Sequence, residues 1–327
     1  MTRVVVTEIL ENAGRDLGIE RSILGPDVEL VQHAFDGSEE RLVSACRDAD
    51  VVLTDIVSLS QDVIEQMQRC RLISIAGTGY SGIDLNAAEA AKISVCAIDE
   101  YCTDEVADHV MLLMLALCRR LTEYHDQVQR EDRWQFNSCT GLARMRDMTL
   151  GIVGYGKIGW AVARRAHGFG MTILANDPHS VEHATADLNV QFLELPDLLA
   201  KADIISLNCR LTADNSNLID ANAFQQMNRK PLLINCARGG LVDEAALENA
   251  LDTGQISGAG LDVLNDESAS LNTSNLTGRS NVILTPHVAF YSDASELKSR
   301  TVAANNIHYF LEDQHEDVNQ YIFHAVS

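Results

Sequence analysis

Lysine is nearly missing from this chain of 327 residues, occurring only at positions 92, 157, 201, 230 and 298. With arginine included, basic residues number 25 against 47 acidic ones, a formal net charge of −22. A surface of that sign repels phosphate backbones and anionic lipid headgroups, which argues against nucleic acid and membrane surfaces as partners. No C-x-x-C pair and no H-E-x-x-H motif occurs among the eight cysteines and ten histidines, and the cysteines sit mostly inside apolar runs. That pattern predicts reduced core thiols, with neither disulfides nor a metal site. Long apolar stretches are also lacking: the longest, Val110 to Cys118, falls far short of the roughly 18 residues that span a bilayer. The opening MTRVVVTEIL runs straight into a strand-like segment without the basic and apolar regions of a leader, so a cytoplasmic protein is expected.

What is there is 46% hydrophobic and longer than one core usually serves, so two domains are expected. Runs rich in Val and Ile at 3–7, 28–34, 51–54, 72–76 and 93–97 alternate with helical segments such as Asp62–Gln68 and Asp84–Lys92, the β-α-β pattern of a parallel sheet. Between them lies Gly77-Thr78-Gly79-Tyr80-Ser81-Gly82, whose uncovered amides suit an anion. From Thr103 to Leu121 the spacing predicts a helix capped by Thr103, with acids in its first turn and Arg119 and Arg120 in its last. Its apolar middle needs cover on several sides, which places a domain boundary near residue 100. The polar stretch Thr122–Asp147, with isolated Trp134 and Phe136, reads as a surface arm reaching a second subunit. Further strands are expected near 190–192, 203–208, 232–236, 257–262 and 281–284, with one helix opened by Pro196, another at Asp243–Asp252 and a last one at Ser292–Leu311. The fold class is α/β: two doubly wound, parallel-sheet, Rossmann-like domains with the active-site cleft between them. Residues 1–100 plus about 292–327 are expected to bind substrate, and 101–291 to bind nucleotide.

The stretch from Thr149 to Asp177 organises the rest. An apolar strand enters Gly154, Gly156 and Gly159 in G-x-G-x-x-G spacing, a helix begins at Lys157, and a second apolar strand from Met171 delivers Asp177. Gly154 permits the tight turn, Gly156 lets the backbone approach a pyrophosphate, and Gly159 lets the helix pack on the strand. The helix aims its first amides, including those of Lys157 and Ile158, and its positive dipole end at the phosphates. Asp177 accepts hydrogen bonds from a ribose and repels a phosphate on it, so NAD is favoured over NADP.

Three charged side chains stand at strand ends or in the loops after them: Arg238 in INCARGG, Glu267 after LDVLND and His287 in LTPH. In an open parallel sheet the carboxyl ends of the strands face the cofactor crevice, so all three can converge there. Taken with GTGYSGIDLNAAEAA, the DEVADH helix, GIVGYGKIG, INCARGGLVDEAAL, GAGLDVLNDE and TPHVAFYS, they make a chain that resembles the NAD-dependent D-isomer-specific 2-hydroxyacid dehydrogenases nearly end to end. CTDEVADH and TPHVAFYS are similar to the branch of C-terminal-binding proteins, NAD-sensing corepressors.

The resemblance implies that Arg238 holds the carboxylate of a small 2-oxo acid, with the amides of Thr78 and Gly79 on its other side. It further implies that His287 is the acid/base, that Glu267 favours its imidazolium, and that Asp262 orients the nicotinamide. Cys209 and Ala237 are implied to line the cofactor; Tyr101 and Phe290, with the loop Thr54–Val57, line the pocket for the substrate's substituent, apolar or aromatic and not phosphorylated. A homodimer is expected from the family and from the polar arm. The chain departs from the family pattern at Ser81-Gly82, at Asn208 and Arg210, and at Ser268. An NAD-sensing, corepressor-like binding protein and a phosphite dehydrogenase are the alternatives to a 2-oxo acid reductase.

Overall fold

The structure, a computed structural model, describes residues 1–179, 188–267 and 274–325. In chain order the first elements are β1 (Thr2–Ile9), α1 (Gly18–Leu24), β2 (Val28–Phe35), α2 (Glu39–Cys46), β3 (Val51–Thr54), α3 (Gln61–Glu65), β4 (Leu72–Ile75), α4 (Leu85–Ala90) and β5 (Ser94–Ala97). Then come α5 (Thr103–Cys118), α6 (Leu121–Arg130), β6 (Thr149–Val153), α7 (Lys157–Gly168), β7 (Thr172–Asn176), β8 (Gln191–Phe192), α8 (Leu195–Lys201) and β9 (Ile204–Leu207). The last are α9 (Ala221–Gln225), β10 (Leu232–Asn235), α10 (Glu244–Asp252), β11 (Gly258–Leu261), β12 (Val282–Leu284), α11 (Asp293–Leu311) and β13 (Gln320–Phe323). They form two compact units, Met1–Tyr101 together with Ser292–Ser327, and Cys102–Tyr291.

The first unit holds a six-stranded sheet in the order β13-β5-β4-β3-β1-β2, parallel throughout except for β13. Strands β3, β4 and β5 are buried along their whole length, which is why they read as unbroken apolar runs and not as alternating ones. The glycine loop after β4 is tied down on two sides. The Ala76 amide donates to Thr54 O at 2.7 Å, and the Ser299 hydroxyl of α11 donates to Ala76 O at 2.7 Å. One charge is sealed inside this unit: Glu20 is 0% exposed and receives Arg300 Nε and Nη2 at 2.8 Å each.

The second unit holds seven strands, all parallel, in the order β12-β11-β10-β9-β6-β7-β8. Chain order reverses across β6 and β9, so the loops leaving these two strands open the crevice where nucleotides bind in such sheets. Helix α5 packs against α7, β10 and β11, burying Val106, Val110, Met111, Leu113 and Met114.

Several local expectations are corrected. Helix α5 is capped by Cys102, with Thr103 already inside the helix, and it stops at Cys118, so Arg119 is its C-cap. Arg120 turns into the left-handed region, φ 48°, and starts α6 inside what reads as an irregular arm. That helix buries no residue, although Leu121, Tyr124 and Val128 share one face at helical spacing, and it carries the ion pairs Arg120–Glu123 at 2.6 Å and Arg130–Asp126 at 3.3 Å. After the last expected helix comes one further strand, β13, for which no element was expected, and it covers the edge of β5.

No disulfide joins the eight cysteines; all are free, six of them buried. Burial pushes the thiols of Cys46, Cys70 and Cys96 up to about 12, which keeps them protonated and inert. Among the described residues no helix is long and apolar enough to cross a membrane, and no group of three or more His, Cys, Asp or Glu side chains is placed to hold a metal ion.

Burial alone would raise the Glu20 carboxyl, but hydrogen bonds from Arg300, the Arg300 charge and the nearby Arg15 outweigh it and hold the group below its ordinary value of 4.5. Arg300→Met strands a buried carboxylate and is expected to destabilise the protein by about 3–5 kcal/mol at neutral pH in urea denaturation. Because the folded carboxyl is lowered, the advantage of the parent protein is complete above the ordinary value and is lost as pH falls through the folded one. The two unfolding midpoints should therefore converge in acid.

Candidate active site

The parallel sheet of the second unit delivers its chemistry from the carboxyl ends of six strands, β6, β7, β9, β10, β11 and β12. After β6 comes the glycine turn. Gly154 has φ +90°, and a Cβ there would lie 2.5 Å from the Cys209 amide nitrogen; at Gly159 it would lie 2.1 Å from the Gly154 carbonyl oxygen. At Gly156 it would meet nothing within 4 Å. Two of the glycines are thus required by packing, while the third faces open space that a side chain would fill. Gly156 is also the N-cap of α7 and carries no capping side chain, so the amides of Lys157, Ile158 and Gly159 open the helix toward that space. A pyrophosphate fits there: it needs a bare backbone, uncapped amides and a helix N-terminus.

Asp177 follows β7 directly. Its Oδ2 accepts from the Tyr155 amide at 2.7 Å and its Oδ1 from the His179 amide at 2.8 Å, which fixes the carboxylate against the glycine turn. Cys209 lies beside Gly154 at the end of β9, where its thiol is pushed up to about 11 by burial. Arg210 follows it, exposed, with its carbonyl accepting from Asn215 Nδ2 at 2.8 Å.

Arg238 stands three residues beyond β10 in extended backbone, φ −146°. Buried Asn235 builds that corner: its Oδ1 accepts from the Ala237 amide at 3.0 Å and its Nδ2 donates to Arg238 O at 2.9 Å. A Cβ on Gly239 would lie 2.1 Å from the Leu264 carbonyl group, so the Arg238 turn is pressed directly on the loop that carries Glu267. That loop is anchored at its other side, where the Asn265 amide donates to Glu244 Oε1 at 2.6 Å.

Glu267 and His287 meet. His287 Nδ1 lies 2.8 Å from Glu267 Oε2. Burial raises the Glu267 carboxyl, but the hydrogen bond and charge of His287, the Leu264 backbone and the Arg238 charge together hold it below the usual carboxylate range. An ionised Glu267 only accepts, so Nδ1 carries a proton and Nε2 is the atom left for other chemistry. Phe290 stands edge-on to the His287 ring, with centroids 6.1 Å apart.

His287 itself has φ +50°, a left-handed backbone that costs about 1–3 kcal/mol in a residue with a side chain. Asp262, at the end of β11 and 1% exposed, holds it there. Its carbonyl accepts the His287 amide at 2.8 Å, and its carboxylate accepts the amides of Val288 and Ala289 at 2.9 Å each. The same carboxylate receives the Thr285 hydroxyl at 2.5 Å, and Thr285 Oγ1 lies 2.9 Å from His109 Nε2 of α5. Asp262, expected beside the nicotinamide, is thus the anchor of the His287 loop. Asn235, Thr285 and His109 were assigned no role by the sequence reading; the only signal available was a polar side chain at the end of an apolar strand and another in an apolar helix.

Thr78, Gly79 and Tyr101 belong to the first unit. Thr78 and Gly79 follow β4, with Thr78 exposed, and a Cβ on the preceding Gly77 would lie 3.4 Å from Asp55 Oδ1 and 4.0 Å from the Tyr101 hydroxyl.

A family model described as the D-isomer specific 2-hydroxyacid dehydrogenase, NAD binding domain, matches residues 111–289. The chain is 31% identical to a hydroxypyruvate reductase of Blautia hydrogenotrophica over 277 residues, 83% of this chain and 85% of that protein. It is 37% identical to a glycerate dehydrogenase of Methylorubrum extorquens over 262 residues, 77% of this chain and 80% of that protein. Among solved structures it is similar to the D-lactate dehydrogenase of Aquifex aeolicus complexed with NAD and lactic acid, with a TM-score of 0.88, 26% identity and 98% of both chains covered.

The three glycines are expected to separate by experiment. Gly156→Val should leave the melting temperature close to that of the parent protein while weakening NADH binding, followed by nicotinamide fluorescence, by about tenfold or more. Gly159→Val should instead lower the melting temperature, because its side chain collides with backbone.

Proposed function

The chain belongs to the D-isomer-specific 2-hydroxyacid dehydrogenases, and on that premise we propose that it reduces a small, unphosphorylated 2-oxo acid to the D-2-hydroxy acid through Arg238, Glu267 and His287. The observation that carries this reading is the 2.8 Å contact of His287 Nδ1 with a carboxylate that Arg238 helps keep ionised, at the sheet edge that also holds the glycine turn.

NAD is the cofactor, and when bound as NADH it supplies the hydride that reaches C2 of the substrate. Gly154, Gly156 and the first amides of α7 at Lys157, Ile158 and Gly159 hold its pyrophosphate, Asp177 takes the ribose, and Cys209, Ala237 and Asp262 line the rest. Arg238 grips the substrate carboxylate through its planar guanidinium fork and draws electron density from the 2-oxo group. By the family resemblance, the amides of Thr78 and Gly79 take the carboxylate's other side, and Tyr101 and Phe290 line the substituent. His287 Nε2 delivers a proton to the forming alkoxide and recovers it in the reverse direction, while Glu267 stabilises the imidazolium.

The relatives named hydroxypyruvate reductase, glycerate dehydrogenase and D-lactate dehydrogenase point to three-carbon acids, hydroxypyruvate and pyruvate first. A cytoplasmic homodimer is the proposed form. Trp134 and Phe136, 91% and 89% exposed beyond α6, are apolar surface suited to a second copy.

NADH oxidation against pyruvate, hydroxypyruvate, glyoxylate, 4-methyl-2-oxopentanoate and phenylpyruvate tests the reading. Turnover is expected, with His287→Ala lowering kcat by about 10²–10⁴-fold. NADH binding with no 2-oxo acid reduced would point to a sensor, and phosphite oxidation to the other alternative. Glu267→Gln removes the anion that holds the Nδ1 proton of His287 and is expected to lower kcat for reduction with KM for the 2-oxo acid less affected, read in the same assay.

A further inference from the structure

Helix α5 is apolar along its buried side except at His109, whose side chain is 13% exposed. Its Nε2 lies 2.9 Å from Thr285 Oγ1, and Thr285 Oγ1 lies 2.5 Å from Asp262 Oδ1; the direct distance from His109 Nε2 to Asp262 Oδ1 is 3.6 Å. The direction of these bonds follows from the donors. Both Asp262 oxygens already accept backbone amides, Val288 on Oδ1 and Ala289 on Oδ2, which is the arrangement of a carboxylate. The proton between Thr285 and Asp262 therefore belongs to the hydroxyl. Thr285 Oγ1 is left to accept, and His109 Nε2 must donate.

We propose that His109 is a positioning residue for the hydride-transfer reaction: its Nε2–H, relayed through the Thr285 hydroxyl, locks the Asp262 carboxylate in the orientation that holds residues 287–289 and keeps His287 aimed. The inference rests on the reading of His287 as the acid/base. A buried carboxylate with three donors has one orientation, whereas a Thr285 hydroxyl released from His109 can rotate and exchange its partner. Asp262 then loses a fixed contact, and the left-handed His287 backbone that depends on it drifts from its working position. Arg238 stands on a separate corner built by Asn235, so substrate binding is not disturbed.

The test compares isosteric and apolar replacements in the full chain. His109→Leu and Thr285→Val are expected to lower kcat by about tenfold, the scale of a small misplacement of a reacting group, with KM for the 2-oxo acid little changed. His109→Gln and Thr285→Ser, which restore an N–H donor and a hydroxyl, should recover most of the loss. The double variant His109→Leu, Thr285→Val should be no slower than Thr285→Val alone. Independently of turnover, NMR of protein labelled with 15N-histidine should show His109 protonated on Nε2, with that proton protected from exchange. Parent-like kcat in both apolar variants, failure of both rescues, or an unprotonated Nε2 overturns the proposal. If His287→Ala keeps full turnover, the acid/base reading fails instead, and the protonation of Nε2 alone decides whether the relay exists.

Discussion

The carboxylate of Asp262 is the constraint on which the active-site edge depends. A carboxylate that is 1% exposed is tolerable only if hydrogen bonds replace its water, and here the replacements are the amides of Val288 and Ala289 and the hydroxyl of Thr285. Satisfying that one buried charge forces the chain after β12 to wrap around it. The wrap in turn puts His287 into a backbone conformation it would not otherwise adopt. A network of this kind is cooperative: complete, it specifies one geometry, and with a member removed it leaves a buried polar group unpaired.

The other working residues are held by contacts of a different kind. Gly239 lets the Arg238 turn lie against the Leu264 backbone, so the guanidinium and the Glu267 loop share one piece of scaffold. Gly154 does the same for the glycine turn and the Asn208–Cys209 backbone. In both places missing side chains bring two loops from neighbouring strands into register, and the parallel sheet supplies the spacing. The hydrogen-bonded anchor and the glycine contacts together convert strand order into the layout proposed for catalysis.

Much of this layout was legible in the sequence, for identifiable reasons. Buried parallel strands announce themselves as short Val- and Ile-rich runs, and the residues just past them, Asp177, Arg238, Asp262 and His287, fall at the carboxyl edge by topology alone. His109 and Thr285 were invisible because they are 176 positions apart and their bond has no period or motif of its own. Helix α6 was missed because the three apolar residues of its stripe, Leu121, Tyr124 and Val128, are scattered among polar ones, and β13 because four residues on a sheet edge give too little pattern. The cap of α5 shifted from Thr103 to Cys102, a position that composition does not distinguish.

The first unit is assembled from both ends of the chain, with Cys102–Tyr291 threaded between them. On a ribosome the whole second unit is synthesised before α11, so the first unit can be completed only after it. During that interval Glu20 waits for Arg300, 280 positions downstream, and the edge of β5 waits for β13. The nascent first unit therefore lacks the principal partner of Glu20 and the cover on the β5 edge until α11 and β13 are made.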